Sequence, residues 1–214
     1  MGFWSHTVVP RATDLLLSPR TTGEVRARVC DGLSGTVLEL GFGSGPNCGY
    51  YPPGVTEVWA VEPSDVHWRR AQKRIAATHA TVTRAGLDGQ FLALADASAD
   101  SALSTWTLCT IPNAFRALQE VRRVLRPGGT LHFVEHGLSP SAGVARWQHR
   151  LDPVQQALAA GCHLTRRIDA LLEEAGFTLD ELATYDAPGA PKPFSWFYEG
   201  VGRSTSMATS ASPS

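Results

Sequence analysis

No stretch of this 214-residue sequence approaches the roughly 20 consecutive apolar residues needed to cross a bilayer. The run TDLLLSP near its start is too short for a span or a signal peptide, so the expectation is a cytoplasmic chain with no integral membrane segment. Net charge is nearly absent as well. The 19 Lys and Arg against 20 Asp and Glu leave −1, with no basic stripe, so nucleic acid is not an expected partner. The four cysteines, Cys30, Cys48, Cys109 and Cys162, include no C-x-x-C pair, which argues for reduced thiols rather than a disulfide framework. Cys162-His163 lacks a second ligand pair, so no metal is expected. The opening MGFWSH departs from the myristoylation pattern at His6.

What is present suits one domain: 43% hydrophobic residues over this length fill a single core. The expected domain is 1–203, with residues 1–34 as an N-terminal helical cap; 204–214, which lack periodicity and large apolar groups, read as a disordered tail. TTGEVRARVCDG reads as a helix, and 36–40 and 57–61 as buried strands. Pro63 and a capping Ser64 open the helix SDVHWRRAQKRIAAT. ATVTRA and DSALSTWTLC follow as strands. NAFRALQEVRRVLRPGG places Ala114, Leu118, Val121 and Leu125 on one helical face, capped by Asn113 and stopped by Pro127-Gly128-Gly129, before the strand TLHFVEH. A helical region over 145–160, the helix RRIDALLEEAGF, and the strands TLDELATYDA and FSWFYEGV complete the chain. A proline-rich loop too short for a helix makes those last two strands antiparallel. The fold class expected is α/β, a Rossmann-like doubly wound seven-stranded sheet, mostly parallel with a C-terminal antiparallel hairpin.

The densest signal is TVLELGFGSGPN, residues 36–47. The dinucleotide fingerprint G-x-G-x-x-G puts its third glycine five residues after the first; Gly41, Gly43 and Gly45 have it at four, with Pro46 next. A phosphate-cradling P-loop ends in Gly-Lys-Ser/Thr, and no lysine lies near. What remains is E-x-G-x-G-x-G. Glu39 at the strand tip is an acceptor for an amine and would repel a pyrophosphate, so the loop suits a ligand with a positive end. Glu62 lies 21 residues after Gly41, the spacing at which a strand-two carboxylate accepts from both ribose hydroxyls. Ligands of doubly wound sheets sit at the carboxyl ends of the strands, where Glu39, Glu62, the Asp88 loop and His136 all fall.

VLELGFGSGPN, Glu62, the LDG loop ahead of Asp100 and EVRRVLRPGGTLHFVEH together resemble the class I S-adenosylmethionine-dependent methyltransferases over nearly residues 30–203. The resemblance implies S-adenosyl-L-methionine as cofactor and a small-molecule methyl acceptor as partner. It implies that Gly41, Gly43 and Gly45 cradle the methionyl moiety and Glu62 holds the ribose. Asp88 would meet the adenine amino group and the Gly89 N–H the ring, with Glu39, Asn47, Pro63 and Thr105 as further cofactor contacts. YYPPGVTEVWAVEPS, STWTLCTIPN, FVEHG and LDP followed by GCHLTR are similar to the branch whose animal members methylate alkyl thiols. Those members begin with a hydrophobic anchor that this sequence does not show.

The expected reaction is therefore S-methylation of a thiol. C- or O-methylation of a quinone-like metabolite is the alternative, through a broader likeness to quinone-pathway enzymes; a cofactor-binding scaffold without turnover is the alternative of another class. His136 is the candidate base or substrate contact. Trp106 and Leu108 are expected to wall the acceptor pocket, with Trp147, Asp152 and His163 lining it. Cys109 reads as a small hydrophobe, since direct methyl displacement needs no enzyme nucleophile. Cys109-Thr110-Ile111-Pro112 stands where some amine-methylating relatives place Asn-Pro, which argues against N-methylation.

Overall fold

The computed structural model describes residues 19–159 and 161–205. The first 18 residues of the expected cap and residues 206–214 of the expected tail lie outside them, whereas Ser204, expected to begin that tail, is the buried last residue of the final strand and pairs with Phe177. Helix α1 (Pro19–Cys30) leads into β1 (Gly35–Leu40) and β2 (Val55–Val61), followed by α2 (Asp65–Ile75), β3 (Thr81–Gly86) and β4 (Ala99–Thr105). Then come α3 (Ala114–Val124), β5 (Leu125–His136), α4 (Ala142–Leu158), α5 (Ile168–Glu174), β6 (Phe177–Asp186), a 3-10 turn (Lys192–Phe194) and β7 (Trp196–Ser204).

The strands form one seven-stranded sheet in the order β3-β2-β1-β4-β5-β7-β6. All pairs up to β5 are parallel, and β7 runs antiparallel to both β5 and β6. This is the expected fold. Because crossover helices cover both faces, β1 is buried on both, and alternate residues feed two cores. Leu38 and Leu40 join Phe133 and Leu131 beneath α3 and α5; Val37 joins Val58, Ala60 and Val134 beneath α1 and α2. Each fully buried Leu or Val here contributes roughly 1.5–3 kcal/mol.

The caps are as expected. Ser64 Oγ accepts the His67 N–H at 3.3 Å and Asn113 Oδ1 accepts the Arg116 N–H at 2.9 Å.

Several boundaries differ by a few residues, and two of these have a clear physical cause. The helix expected to run to Pro127 ends at Val124: Leu125 is extended (φ −65°, ψ 136°), buried, and already paired with Ala99 as the first residue of β5. Proline at 127 also disfavours helical backbone at Arg126, so sheet pairing takes over early. The strand expected to reach Cys109 stops at Thr105, because Trp106 adopts φ +52° and turns the chain away.

Candidate active site

Strand register brings the functional loops together. Leu40 stands opposite Val61 on one side and Ser104 on the other. The chain order reverses at β1, so the loops after β1, β2 and β4 leave the sheet side by side, which is where such folds bind ligands. Backbone bonds continue the alignment past the strand ends: Gly41 N–H to the Val61 carbonyl at 3.0 Å, Glu62 N–H to Gly86 at 3.0 Å, and Trp106 N–H to Val134 at 2.8 Å. They enclose a cleft of about 1030 Å³. Of the residues expected at the site, Gly41, Gly43, Glu62, Pro63, Asp88, Gly89, Thr105, Trp106 and His136 line it. Glu39, Gly45, Asn47, Leu108, Trp147 and His163 do not.

Gly41 has φ +67°, and a Cβ there would fall 2.0 Å from Thr107 Oγ1. The loop can therefore pack down only with glycine at this position. Gly43, at φ +59°, would give a Cβ only ordinary contacts, 3.9 Å from the Gly41 carbonyl oxygen and from Pro46, and it donates its N–H to Glu62 Oε2 at 2.7 Å. The other carboxylate oxygen accepts the Ser64 N–H at 2.7 Å and lies 3.4 Å from His67 Nδ1. Arg84 binds the Glu62 carbonyl through Nε and Nη2, at 2.9 and 2.7 Å. Glu62 is thus a buried acceptor held still at the cleft wall by both neighbouring loops.

Glu39, expected to receive a positive ligand end, lies behind the loop with no exposed surface. Its oxygens accept from Asn47 Nδ2 at 2.8 Å and from the Tyr51 hydroxyl. Burial pushes its carboxyl up to about 7, while Tyr51, Asn47 and Arg26 hold it down. Asn47 also donates to Thr105 Oγ1 at 3.1 Å and accepts from Arg26 Nη1 at 2.6 Å. Arg26 was missed in the sequence. It reaches Thr22 at 2.9 Å and Thr105 at 3.3 Å, lines the cleft, and lies 4.8 Å from the centre of the Trp106 ring. Burial lowers it to about 10. The available signal was an arginine on the inward stripe of α1, beside Thr22, Val29 and Cys30.

Across the cleft, Asp88 is exposed and its Oδ1 accepts from the backbone and side-chain nitrogens of Gln90, at 2.9 and 3.0 Å. Gly89 is buried, its Cα backed by Leu40 and Ile111.

The far end of the cleft is organised by Glu135, a second residue the sequence did not single out. Fully buried, it accepts from Ser104 Oγ at 2.7 Å and from the N–H groups of Thr107 at 3.0 Å and Cys109 at 3.2 Å. Burial pushes its carboxyl up, and those bonds oppose the shift. The bonds fold the 105–109 turn that presents Trp106 and Cys109 to the cleft. Beside it His136 is 6% exposed, with Phe197 edge-on at 6.0 Å, and neither ring nitrogen has a hydrogen-bond partner. The Trp106 indole nitrogen is likewise unpartnered. Buried polar atoms are normally satisfied, so three such atoms on two residues that line one cleft point to a ligand that satisfies them.

The remaining expected acceptor-pocket residues sit elsewhere. Trp147 is 56% exposed on the outside of α4, beneath Arg150 at 5.5 Å, in a separate groove of about 470 Å³ with Lys192 and Pro193. Asp152 accepts the Leu164 N–H at 2.6 Å and lies 3.6 Å from His163 Nδ1, so this pair braces the loop after α4. The Leu108 side chain is in the core, and its carbonyl accepts from Arg166. The side of α4 that meets the cleft carries Gln155, followed by Ala159 and Cys162. Among the described residues no group of three or more His, Cys, Asp or Glu is placed to hold a metal, and no helix is long and apolar enough to cross a membrane.

A sequence family described as "Methyltransferase domain" matches residues 38–133. The chain is 37% identical to the thiol S-methyltransferase TMT1B of Rattus norvegicus over 169 residues, covering 77% of this chain and 67% of that protein. It is 37% identical to the thiol S-methyltransferase TMT1A of Homo sapiens over 157 residues, covering 72% of this chain and 64% of that one. The chain belongs to the S-adenosylmethionine-dependent methyltransferases. It thus spans about two thirds of the length of these relatives. Solved structures share the methyltransferase fold. One from Haloferax volcanii, in complex with a methyltransferase activator, superposes with a TM-score of 0.71 at 15% identity, covering 96% of this chain and 98% of that one. An S-adenosylmethionine-dependent methyltransferase from Mesorhizobium loti gives 0.66 at 18%, covering 86% and 97%. The methyltransferase uses S-adenosyl-L-methionine as methyl donor, and its cleft fits that cofactor: a loop that tolerates no Cβ at Gly41, a fixed carboxylate at Glu62, and ample volume between them.

Proposed function

We propose that this methyltransferase transfers the methyl group to a small thiol bound at the His136 end of the cleft. The observation that carries the reading is His136 itself, buried in the cleft wall with both ring nitrogens unpartnered. The identity to thiol S-methyltransferases supports the choice of sulfur.

The cofactor supplies a methyl group already activated on a sulfonium. The protein's work is to hold, align and dry the reactants, and alignment of this kind is worth roughly 7–11 kcal/mol. With the cofactor bound, the backbone of Gly41 and Gly43 would lie against the methionyl part, Glu62 would accept from the ribose hydroxyls, and the Asp88-Gly89 segment would meet the adenine. Asn47 and Glu39 act one layer behind, fixing the loop and Thr105. A thiol with pKa about 8.5 is only a few per cent ionised at neutral pH. His136 takes the thiol proton, the sulfur lone pair forms the new C–S bond, and the proton leaves to solvent from the ring. Trp106, Phe197 and Phe194 give this end an aromatic lining that suits an uncharged organic acceptor.

A panel of thiols, phenols and quinols offered with methyl-labelled S-adenosylmethionine tests the reading. Labelled thioether is expected. Labelled product from a quinol or phenol, with none from any thiol, overturns it in favour of carbon or oxygen methylation.

A further inference from the structure

Two cysteines remote in sequence meet at the acceptor end of the cleft. Cys109 ends the turn after β4, and Cys162 lies in the loop after α4. The His163 N–H donates to the Cys109 carbonyl at 2.8 Å, clasping the two segments together. Both residues line the cleft, both thiols are free, and His136 shares the same wall. We propose that Cys162 and Cys109 form a thiol–disulfide exchange centre that reacts with low-molecular-weight organic disulfides and closes the acceptor end of the cleft when oxidised.

The two thiols have unequal parts. Contact with Cys109 lowers Cys162 against the opposing effect of burial. Cys109 is pushed up in turn, by Cys162 and by burial. Thiolate, not thiol, attacks disulfides, and Cys162 is the less buried of the two, 9% exposed against 2%, so Cys162 is the attacking sulfur and Cys109 the resolving one. Cys30 and Cys48 are raised by burial and do not line the cleft, so they are spectators.

The exchange balances without a further reactant. The Cys162 thiolate attacks RS–SR, forming Cys162–S–SR and releasing RS⁻. Cys109 then gives up its proton, which the departing sulfur takes, and attacks the Cys162 sulfur, forming Cys109–S–S–Cys162 and releasing RSH. The enzyme pair loses two electrons and the disulfide gains them; excess thiol reverses both steps. A cleft shaped for a small thiol would also admit the oxidised form of such a molecule. The cross-link would tie the loop after α4 to the Trp106 turn. Were these cysteines only small hydrophobic side chains, neither step would occur at an appreciable rate.

The test needs no methyl transfer, so it stands or falls apart from the identity of the acceptor. Folded wild-type protein is incubated with oxidised glutathione, then weighed intact and peptide-mapped without reduction. Loss of two hydrogen atoms and a Cys109–Cys162 linked peptide are expected. In Cys109→Ser a glutathione adduct should persist on Cys162, while Cys162→Ser should react at least about tenfold more slowly. Circular dichroism confirms that each variant is folded; if neither variant folds, the wild-type map decides. Equal labelling of Cys30 and Cys48, undiminished reaction of a folded Cys162→Ser, or neither link nor adduct in the wild type would overturn the proposal.

Discussion

The Glu62 carboxylate receives the Gly43 N–H at 2.7 Å, tying the loop after β1 to the end of β2. One residue thus both shapes the glycine loop and stands ready at the cleft wall as an acceptor. Its removal should be felt in cofactor binding more than in folding.

Glu62→Ala is expected to weaken S-adenosylmethionine binding by tenfold or more, since hydrogen bonds to a charged acceptor are worth about 1.5–3 kcal/mol each. Isothermal calorimetry measures it. Unchanged affinity would remove Glu62 from the ribose.

Gly41 and Gly43 both have positive φ but differ in their surroundings. Left-handed backbone costs an L-residue roughly 1–2 kcal/mol, so Gly43→Ala should lose about that much. Gly41→Ala should lose clearly more, because its Cβ meets Thr107 as well. Urea unfolding of the two variants compares them, and equal losses would contradict the packing described at Gly41.

Glu39 makes stability depend on pH in an unusual direction. Its carboxyl is raised from 4.5 to about 7, so the folded state holds the proton more tightly than the unfolded chain between those values. The contribution to stability is fully present below the lower value and is lost as pH rises through the upper one. Its size is about 3 kcal/mol at most. Glu39→Gln, neutral throughout, should lack this fall and be the more stable protein at about pH 8. Unfolding midpoints of both proteins between about pH 5 and 8 give the comparison; parallel curves would show that Glu39 keeps an ordinary carboxyl.

The sheet was legible because parallel strands buried on both faces read as mainly apolar runs, as in β1, where Thr36 and Glu39 interrupt one, and because Ser64 and Asn113 mark helix starts chemically. The cleft was legible wherever a residue sits at a strand end or just past it, as Gly41, Glu62, Asp88 and His136 do. What escaped depends on contacts between distant segments. The end of β4 at Thr105 follows from Glu135, thirty positions away, accepting from the Thr107 and Cys109 N–H groups. Arg26 reaches Asn47 and Thr105 only once α1 has packed on the sheet. The period of α4 cannot say which stripe faces the cleft: Gln155 does, whereas Trp147 points outward.

The most direct measurement is the pH profile of kcat/KM for labelled-methyl transfer to one alkyl thiol, in wild type and in His136→Ala. If the thiolate attacks and His136 takes its proton, the wild-type rate rises from neutral pH to a plateau near about 8.5, and a more acidic thiol reaches its plateau earlier. His136→Ala should then be slowed most at neutral pH and approach wild type at high pH, where thiolate forms without help. A flat wild-type profile, or a loss in His136→Ala that is the same at every pH, would contradict the account.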